Sequence, residues 1–573
     1  PTFFILVTPL GIDFMVRGEQ WAKFISISML VFPWEITIGN DIKFIDVAIP
    51  QGLSFEHDHG GSGDRYYVET IGSGVCLFDY DNDDDLDIYF CQGSGLPGWD
   101  KDVILENKLY RNDGNKWTDV TSSAGVGDRS YSMGCACGDV DNDGFIDLYV
   151  TNFGKDVLYQ NKGDGTFIDV TDISGINNPL WGASVAFFDM DGDGLLDIYV
   201  SNYVEYSLDN NPWCGDRRKG LRDYCKPDFF PGVEDLLFKN NGNWTFKDVS
   251  SKSGIEGIKG KGLGVIPADF DLDGDSDLYV ANDGVMNHYF INNGRGYFEE
   301  NAIFTGLGFN DNGLPEAGMG VDIGDVNGDG WPDIFVTNFS GESNTIYMNN
   351  KRGYFKDETF MSGLDQPSLD YVGFGTKLLD LDYDGWLDLF VVNGHVAVHI
   401  NDVYKKYTHA QRKQIFLNKK DGTFEEFTSN DVGDIGESSV GRGAAFGDLD
   451  NDGDLDIVIA NNNGPANLLL RDGTPQKEWL GLLLVGDESN MDAIGARVTL
   501  ETDGSRQTKF INTAGSYMAS NDKRLIFGLG DEIIVKKIEV IWPSGKKDFF
   551  ENVKTKKYYR ILEGESITAI DFE

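Results

Sequence analysis

Positive charge is what this 573-residue chain has least of: 48 Lys and Arg stand against 94 Asp and Glu, a net charge of −46. That excess repels nucleic acid and anionic membrane surfaces, so neither is an expected partner. No apolar run reaches the roughly 20 residues of a membrane-spanning helix. Histidine and cysteine are scarce, six of each, with no Cys-x-x-Cys pair and no His cluster of the kind that holds zinc. Gly-x-Ser-x-Gly, His-Glu-x-x-His and phosphate-loop patterns are absent, which removes the common hydrolase, metalloprotease and nucleotide-binding signatures.

What recurs instead is a nonapeptide, Asp-x-Asp/Asn-x-Asp-Gly/Asp-x-x-Asp, beginning at Asp79, Asp139, Asp189, Asp269, Asp325, Asp380 and Asp448. Side-chain oxygens at positions 1, 3, 5 and 9, with a backbone carbonyl at 7, suit a hard divalent cation such as calcium. The predicted ligands of the first loop are Asp79, Asp81, Asp83, Asp85 and Asp87, and of the second Asp139, Asp141, Asp143, Phe145 and Asp147. The third offers Asp189, Asp191, Asp193, Leu195 and Asp197; the fourth Asp269, Asp271, Asp273, Asp275 and Asp277. The fifth offers Asp325, Asn327, Asp329, Trp331 and Asp333; the sixth Asp380, Asp382, Asp384, Trp386 and Asp388. The seventh has Asp448, Asp450, Asp452, Asp454 and Asp456. Up to seven calcium ions are therefore expected. Without metal, each close carboxylate pair would repel by roughly 4 kcal/mol at an effective dielectric of 20.

Six loops carry Gly at position 6, where the turn needs a positive φ, and the first has Asp84 there. Position 12 excludes an EF-hand. Instead of a bidentate Glu it is Phe90, Val150, Val200, Val280, Val336, Val391 or Ile459, inside segments that read as buried strands. Each loop follows a small apolar strand such as Gly74-Val-Cys-Leu-Phe78. A later strand ends in Asn (Asn112, Asn161, Asn240, Asn292, Asn349, Asn418) before a turn and an aromatic strand. Four short strands per repeat predict a propeller blade. The seventh repeat lacks its last strand, and Ile42-Lys-Phe44-Ile-Asp46-Val47 at the other end of the chain supplies one. The expected fold is all-β: a seven-bladed propeller over 41–473, closed by an N-terminal strand, with a small β domain over 474–573.

Cys214 and Cys225 flank a polar insertion and are expected to form a disulfide; Cys76 and Cys91 could face each other across the first hairpin, and Cys135 and Cys137 read as buried thiols. The chain starts with Pro, as a fragment or an extended reading frame would. Within 1–40, Arg17 and Lys23 precede the apolar run Phe24 to Phe32, resembling a signal peptide's charged and apolar regions. Export is the expectation, to the cell surface, the periplasm or the medium.

In the last hundred residues Asn490-Met-Asp492-Ala-Ile-Gly495, Gly515-Ser-Tyr517, Phe527-Gly-Leu-Gly530 and Val540-Ile-Trp542-Pro-Ser-Gly545 resemble the signature of the ASPIC/UnbV domain. The repeats before them resemble FG-GAP/VCBS calcium-loop blades, which also occur in integrin α-chains. The whole resembles the bacterial relatives of cartilage acidic protein. The resemblance implies a secreted calcium-binding propeller and carries over no catalytic reaction.

Two functions compete. The first is a non-catalytic, monomeric binding or adhesion module for a glycan or an extracellular protein. Asn152, Asn202, Asn282, Asn338, Asn393 and Asn461 would either line its axis or satisfy turn backbones. The second is an extracellular enzyme acting on a polysaccharide or ester through a His/carboxylate pocket at the axis, drawing on His57, His59, Arg65, Glu69 and His395.

Overall fold

The computed structural model describes residues 42–428 and 432–572, together with the backbone of strands Phe4–Thr8 and Gly11–Met15. Those two strands pair antiparallel, and the leader-like run from Arg17 to Phe32 lies outside the described residues. Ile42–Glu573 is a compact unit by itself.

Seven sheets among the described residues carry one acidic loop each. In the second of them, Ser132–Gly138, Asp147–Asn152, Gly154–Asn161 and Phe167–Asp169 lie side by side, every neighbouring pair antiparallel. The loop joins the first strand to the second. Second strands are continuous apolar runs because both faces are covered: Asp147–Asn152, Asp197–Asn202 and Asp388–Asn393 are buried at every position. Fourth strands anchor by one aromatic each, Trp117, Phe167, Phe246, Phe298, Phe355 or Phe424, all buried. Each such side chain contributes roughly 1.5–3 kcal/mol of burial.

First strands pack in cyclic order. Val75–Phe78 lies against Ser132–Gly138, followed by Gly182–Phe188, Gly262–Ala268, Val321–Gly324, Gly373–Leu379 and Gly441–Gly447, which returns to Val75–Phe78. This is a β-propeller. The approach at the axis is too close for side chains at some positions: a Cβ on Gly320 would sit 2.0 Å from the Phe374 carbonyl oxygen. The seventh sheet is completed from the far end of the sequence, Phe44–Asp46 pairing with Asn467–Arg471 in the register Phe44↔Arg471, Ile45↔Leu470 and Asp46↔Leu469. Phe44 is wholly buried.

Two further four-stranded sheets follow. One contains Glu478–Val485, Leu525–Gly530, Lys557–Leu562 and Ile567–Ile570; the other Arg497–Glu501, Arg506–Phe510, Ile534–Ile541 and Lys547–Lys554. Their apolar side chains share one core with the second and third propeller sheets. Between them, residues 511–522 form a strap that runs into the propeller axis. It bonds to the first strand of every propeller sheet: Val75 N–H to the Met518 carbonyl, Thr513 Oγ1 to the Cys137 carbonyl, Met518 N–H to Ser184 Oγ, Asn512 to the Pro267 carbonyl, Ser516 N–H to the Val321 carbonyl, Thr376 N–H to Ser516 Oγ, and Ser516 Oγ to the Ala444 carbonyl. Ala519–Ser520 adds a parallel pairing to Val75–Phe78. The axis is thus filled by this strap.

Cys214 and Cys225 form the expected disulfide, with Cα atoms 5.1 Å apart. Cys76 and Cys91, which could have faced each other, do not pair. Hairpin register sets Cys76 opposite Tyr89, two residues short of Cys91. Cys76 instead bonds Cys135 on the neighbouring inner strand, Cα–Cα 6.1 Å, so Cys135 is not a free thiol; Cys91 and Cys137 are, and both are buried.

Candidate metal loops and the axial face

Each acidic loop curls on its own carboxylates. In the first, the backbone N–H groups of Asp83 and Asp84 donate to Asp79 (3.2 and 3.0 Å), and Asp85 N–H donates to Asp83 Oδ1 (3.1 Å). The same three bonds recur in the other six loops, on Asp139, Asp189, Asp269, Asp325, Asp380 and Asp448. Position 6 has positive φ throughout, including Asp84 at 68°. Position 4 does too, from Asn82 at 58° to Leu272 at 59° and Tyr383 at 56°, a demand that the sequence pattern conceals by tolerating non-Gly residues there.

Carboxylate oxygens at positions 1, 3 and 9 come within 4.8 Å of one another in the first, second, third and sixth loops, and at positions 1, 3 and 5 in the fourth. One buried oxygen of each position-3 carboxylate in the first four loops (Asp81, Asp141, Asp191, Asp271) accepts no hydrogen bond among the described residues, and neither does one on Asp275 or Asp454. A buried acceptor without a donor is costly, and a cation is what this donor set fits. Burial, with the neighbouring carboxylates, raises Asp79 and Asp269 to about 6; burial raises Asp139, first with the charge of Asp492, to about 7.

Position 9 has a second task. Asp87 accepts Tyr80 N–H and Asn112 N–H (3.0 and 2.9 Å), tying its loop to the third strand, and six loops share this pattern. In the fourth, Tyr289 Oη replaces one of the two donors. The strand-ending Asn residues are staples whose partners no local pattern reveals. Asn161 Nδ2 donates to the Ile146 carbonyl of its own loop and the Tyr80 carbonyl of the preceding one, and Asn112, Asn240, Asn292, Asn349 and Asn418 do likewise. Arg471 holds that place in the seventh sheet.

The loops are not equivalent. Lys239 Nζ bonds both Asp191 and Asp193 (2.8 Å to the latter) in the third loop. The fourth has no such ion pair among the described residues. C-terminal residues grip several loops: Asp139 N–H donates to Asp492 Oδ2 (2.6 Å), Met491 N–H to Asn142 Oδ1 (2.9 Å), and Tyr558 Oη to Asp448 Oδ2 (2.6 Å). A Cβ on Gly528 would lie 2.1 Å from Asp380 Oδ2, so this contact requires glycine.

The other ends of the same strands carry a different surface. The six Asn residues after the second strands satisfy turn carbonyls, as Asn152 does Lys155, Asn202 Glu234 and Asn461 Pro465. Tyr67, Trp181, Tyr203 and Phe230 pack there beneath the disulfide insertion. Of the enzyme candidates, His59 and Glu69 meet at 3.9 Å, but His59 Nδ1 accepts Gly61 N–H (3.0 Å) and cannot also bond the carboxylate. Glu69 accepts Tyr66 N–H (2.7 Å) and Tyr224 Oη (2.8 Å), and Arg65 reaches the same Tyr224 hydroxyl (3.4 Å). His57 and His395 are buried and form no ion pair among the described residues. Burial takes both to about 3, so they are neutral.

Family models match at two places: an FG-GAP-like repeat over 79–150, 139–200, 269–336, 325–391 and 380–459, and ASPIC and UnbV over 486–568. Cartilage acidic protein 1 of Homo sapiens is 23% identical over 337 residues, 58% of this chain and 48% of that protein. Its Xenopus tropicalis counterpart is 26% identical over 278 residues, 47% and 40% respectively. The matches thus span less than half the length of these relatives. Two solved structures resemble the chain distantly. A lectin of Agrocybe aegerita, described as recognising non-reducing terminal N-acetylglucosamine, is 17% identical with a TM-score of 0.38, over 63% of this chain and 81% of its own. A Burkholderia pseudomallei lectin is 10% identical with a TM-score of 0.40, over 70% and 96%. With its repeated acidic hairpins matched over more than half its length, the chain belongs to the FG-GAP-like repeat family and carries a C-terminal ASPIC and UnbV domain.

Proposed function

We propose that the protein is an exported, calcium-stabilised propeller (41–473) whose ASPIC/UnbV domain (474–573) clamps the ring, and that it acts as a non-catalytic binding module for a glycan or an extracellular protein. The observation that carries the calcium reading is the set of partnerless buried oxygens at position 3 of four loops. When bound, calcium would cancel the mutual repulsion of carboxylates that the fold itself forces together. Binding is favoured over catalysis because the candidate groups are engaged or buried: His59 Nδ1 accepts Gly61 N–H, Glu69 accepts Tyr66 N–H and Tyr224 Oη, and His57 and His395 are buried. Export agrees with the two disulfides. No helix among the described residues is long and apolar enough to cross a membrane.

A screen of the calcium-loaded protein against immobilised glycans and extracellular proteins, run beside polysaccharide- and ester-cleavage assays, tests the reading. Saturable binding without turnover is expected. Turnover lost on His59→Gln or Glu69→Gln, with calcium content unchanged, would replace it by the enzyme reading.

A further inference from the structure

At the axial end opposite the acidic loops, Arg442 is buried at 1% exposure in a chain with a twofold excess of acids, yet pairs with no carboxylate among the described residues. Its Nε donates to the Thr70 carbonyl (2.9 Å) and its Nη1 to the Gly394 and Gly441 carbonyls (2.9 and 2.7 Å), while the guanidinium lies 4.0 Å over the Phe374 ring. Carbonyl dipoles orient a cation but leave its full charge uncancelled. Burial lowers Arg442 only to about 10, so it remains charged at neutral pH.

Two histidines flank it through the same backbone segments. His57 Nε2 stands 3.6 Å from where a Cβ on Gly72 would be, two residues from Thr70, and His395 adjoins Gly394. Each ring accepts a backbone N–H at Nδ1, from Asn463 (3.1 Å) and Ala397 (2.9 Å), which fixes the proton on Nε2. Both Nε2 atoms are buried and have no partner among the described residues. His57 and His395 are 1% and 2% exposed. The place therefore has one unpaired cation and two unpaired neutral donors, built from the first, sixth and seventh sheets and their flanking segments. Donors without acceptors around an uncancelled positive charge call for an oxyanion.

We infer that this axial site binds the anionic oxygen group of a ligand, with Arg442 as counter-charge and His57 and His395 as neutral hydrogen-bond donors. Carboxylates, as in uronic acids, and sulfate or phosphate esters share that chemistry. Of the acids beside these segments, Glu56 is exposed, Asp58 pairs with Lys101 (2.6 Å), and Glu69 is occupied by Tyr66 N–H and Tyr224 Oη. The inference names the ligand class of the binding-module reading and rests on it.

Calorimetric titration of the full, calcium-loaded chain with glucuronate, a galacturonate oligosaccharide, inorganic sulfate, inorganic phosphate and neutral glucose tests it. An acidic probe should bind and glucose should not. Arg442→Met should weaken the acidic probe about tenfold or more. His395→Phe, which keeps the charge but removes one donor, should weaken it severalfold and serves if Arg442→Met does not fold. Tighter uronate than sulfate or phosphate assigns the carboxylate source, and the reverse order the ester source. The inference falls if no acidic probe binds, or if a folded Arg442→Met or His395→Phe protein binds as the parent does. A neutral glycan captured independently of Arg442 would overturn it while leaving the binding-module reading standing.

Discussion

On one face of the ring seven loops repeat a single geometry, each curling on its own carboxylates and each linked to a neighbour by a strand-ending Asn or its counterpart. On the other, six Asn residues recur as turn staples, but His57, Glu69, Tyr224, His395 and Arg442 come from unrelated segments up to 385 residues apart in sequence. The repeated face concentrates like charges and is covered by C-terminal residues. The single-copy face holds an unpaired cation and neutral histidines under aromatics. Repetition spreads one acidic-loop geometry, which could hold a metal ion, over the whole ring.

Removing calcium should produce the largest separation between the faces. At millimolar ion each loop contributes on the order of 1–3 kcal/mol, so chelation should lower the calorimetric melting temperature of the whole ring, with the loss scaling with sites emptied. An unchanged melt would end the calcium assignment. The pH dependence sharpens this. In the metal-free protein, burial raises Asp139, Asp380 and Asp448 to about 7. Between about pH 4 and 7 the folded state then binds more protons than the unfolded chain, so metal-free stability should fall as pH rises through that window. Calcium should remove or reverse the slope.

Closure of the ring is the next largest effect. Phe44→Ala empties a fully buried site between the sixth and seventh sheets and should cost about 3–5 kcal/mol in urea unfolding, although Phe44 lies far from the seventh loop in sequence. A cost below about 1 kcal/mol would mean the N-terminal strand is dispensable.

Smaller effects test whether the loops are alike. Asp81→Ala should remove one calcium from the total measured by metal analysis and destabilise by about 1–3 kcal/mol. In the third loop Lys239 already occupies Asp191 and Asp193, so Asp191→Ala should cost less than Asp81→Ala. Lys239→Met should tighten calcium at that loop, read as a stronger high-affinity phase in titration. Equal behaviour of the first and third loops would show that the ammonium yields its place to the ion at no cost.

The sequence by itself determined the all-β class, the acidic loops, the positive φ at position 6, the Cys214–Cys225 bridge and the strand that completes the seventh sheet. All of these are local patterns or counts of repeats, and a nine-residue ligand spacing or a missing strand is visible without knowing what lies across the ring. Tertiary structure alone decided the rest. Cys76 and Cys135 are 59 residues apart and meet only because neighbouring inner strands face each other. Position 9 and the strand-ending Asn residues share their oxygens and amides with backbone groups of other strands and loops, contacts that no local pattern encodes. Strap residues 511–522 fill the axis because a ring of inner strands leaves unpaired backbone groups there, and a single segment long enough to reach all seven supplies the partners. Arg442 lies in the glycine-rich strand Gly441–Gly447, and its burial without a carboxylate among the described residues emerges only when Thr70, Gly394 and Phe374 close around it.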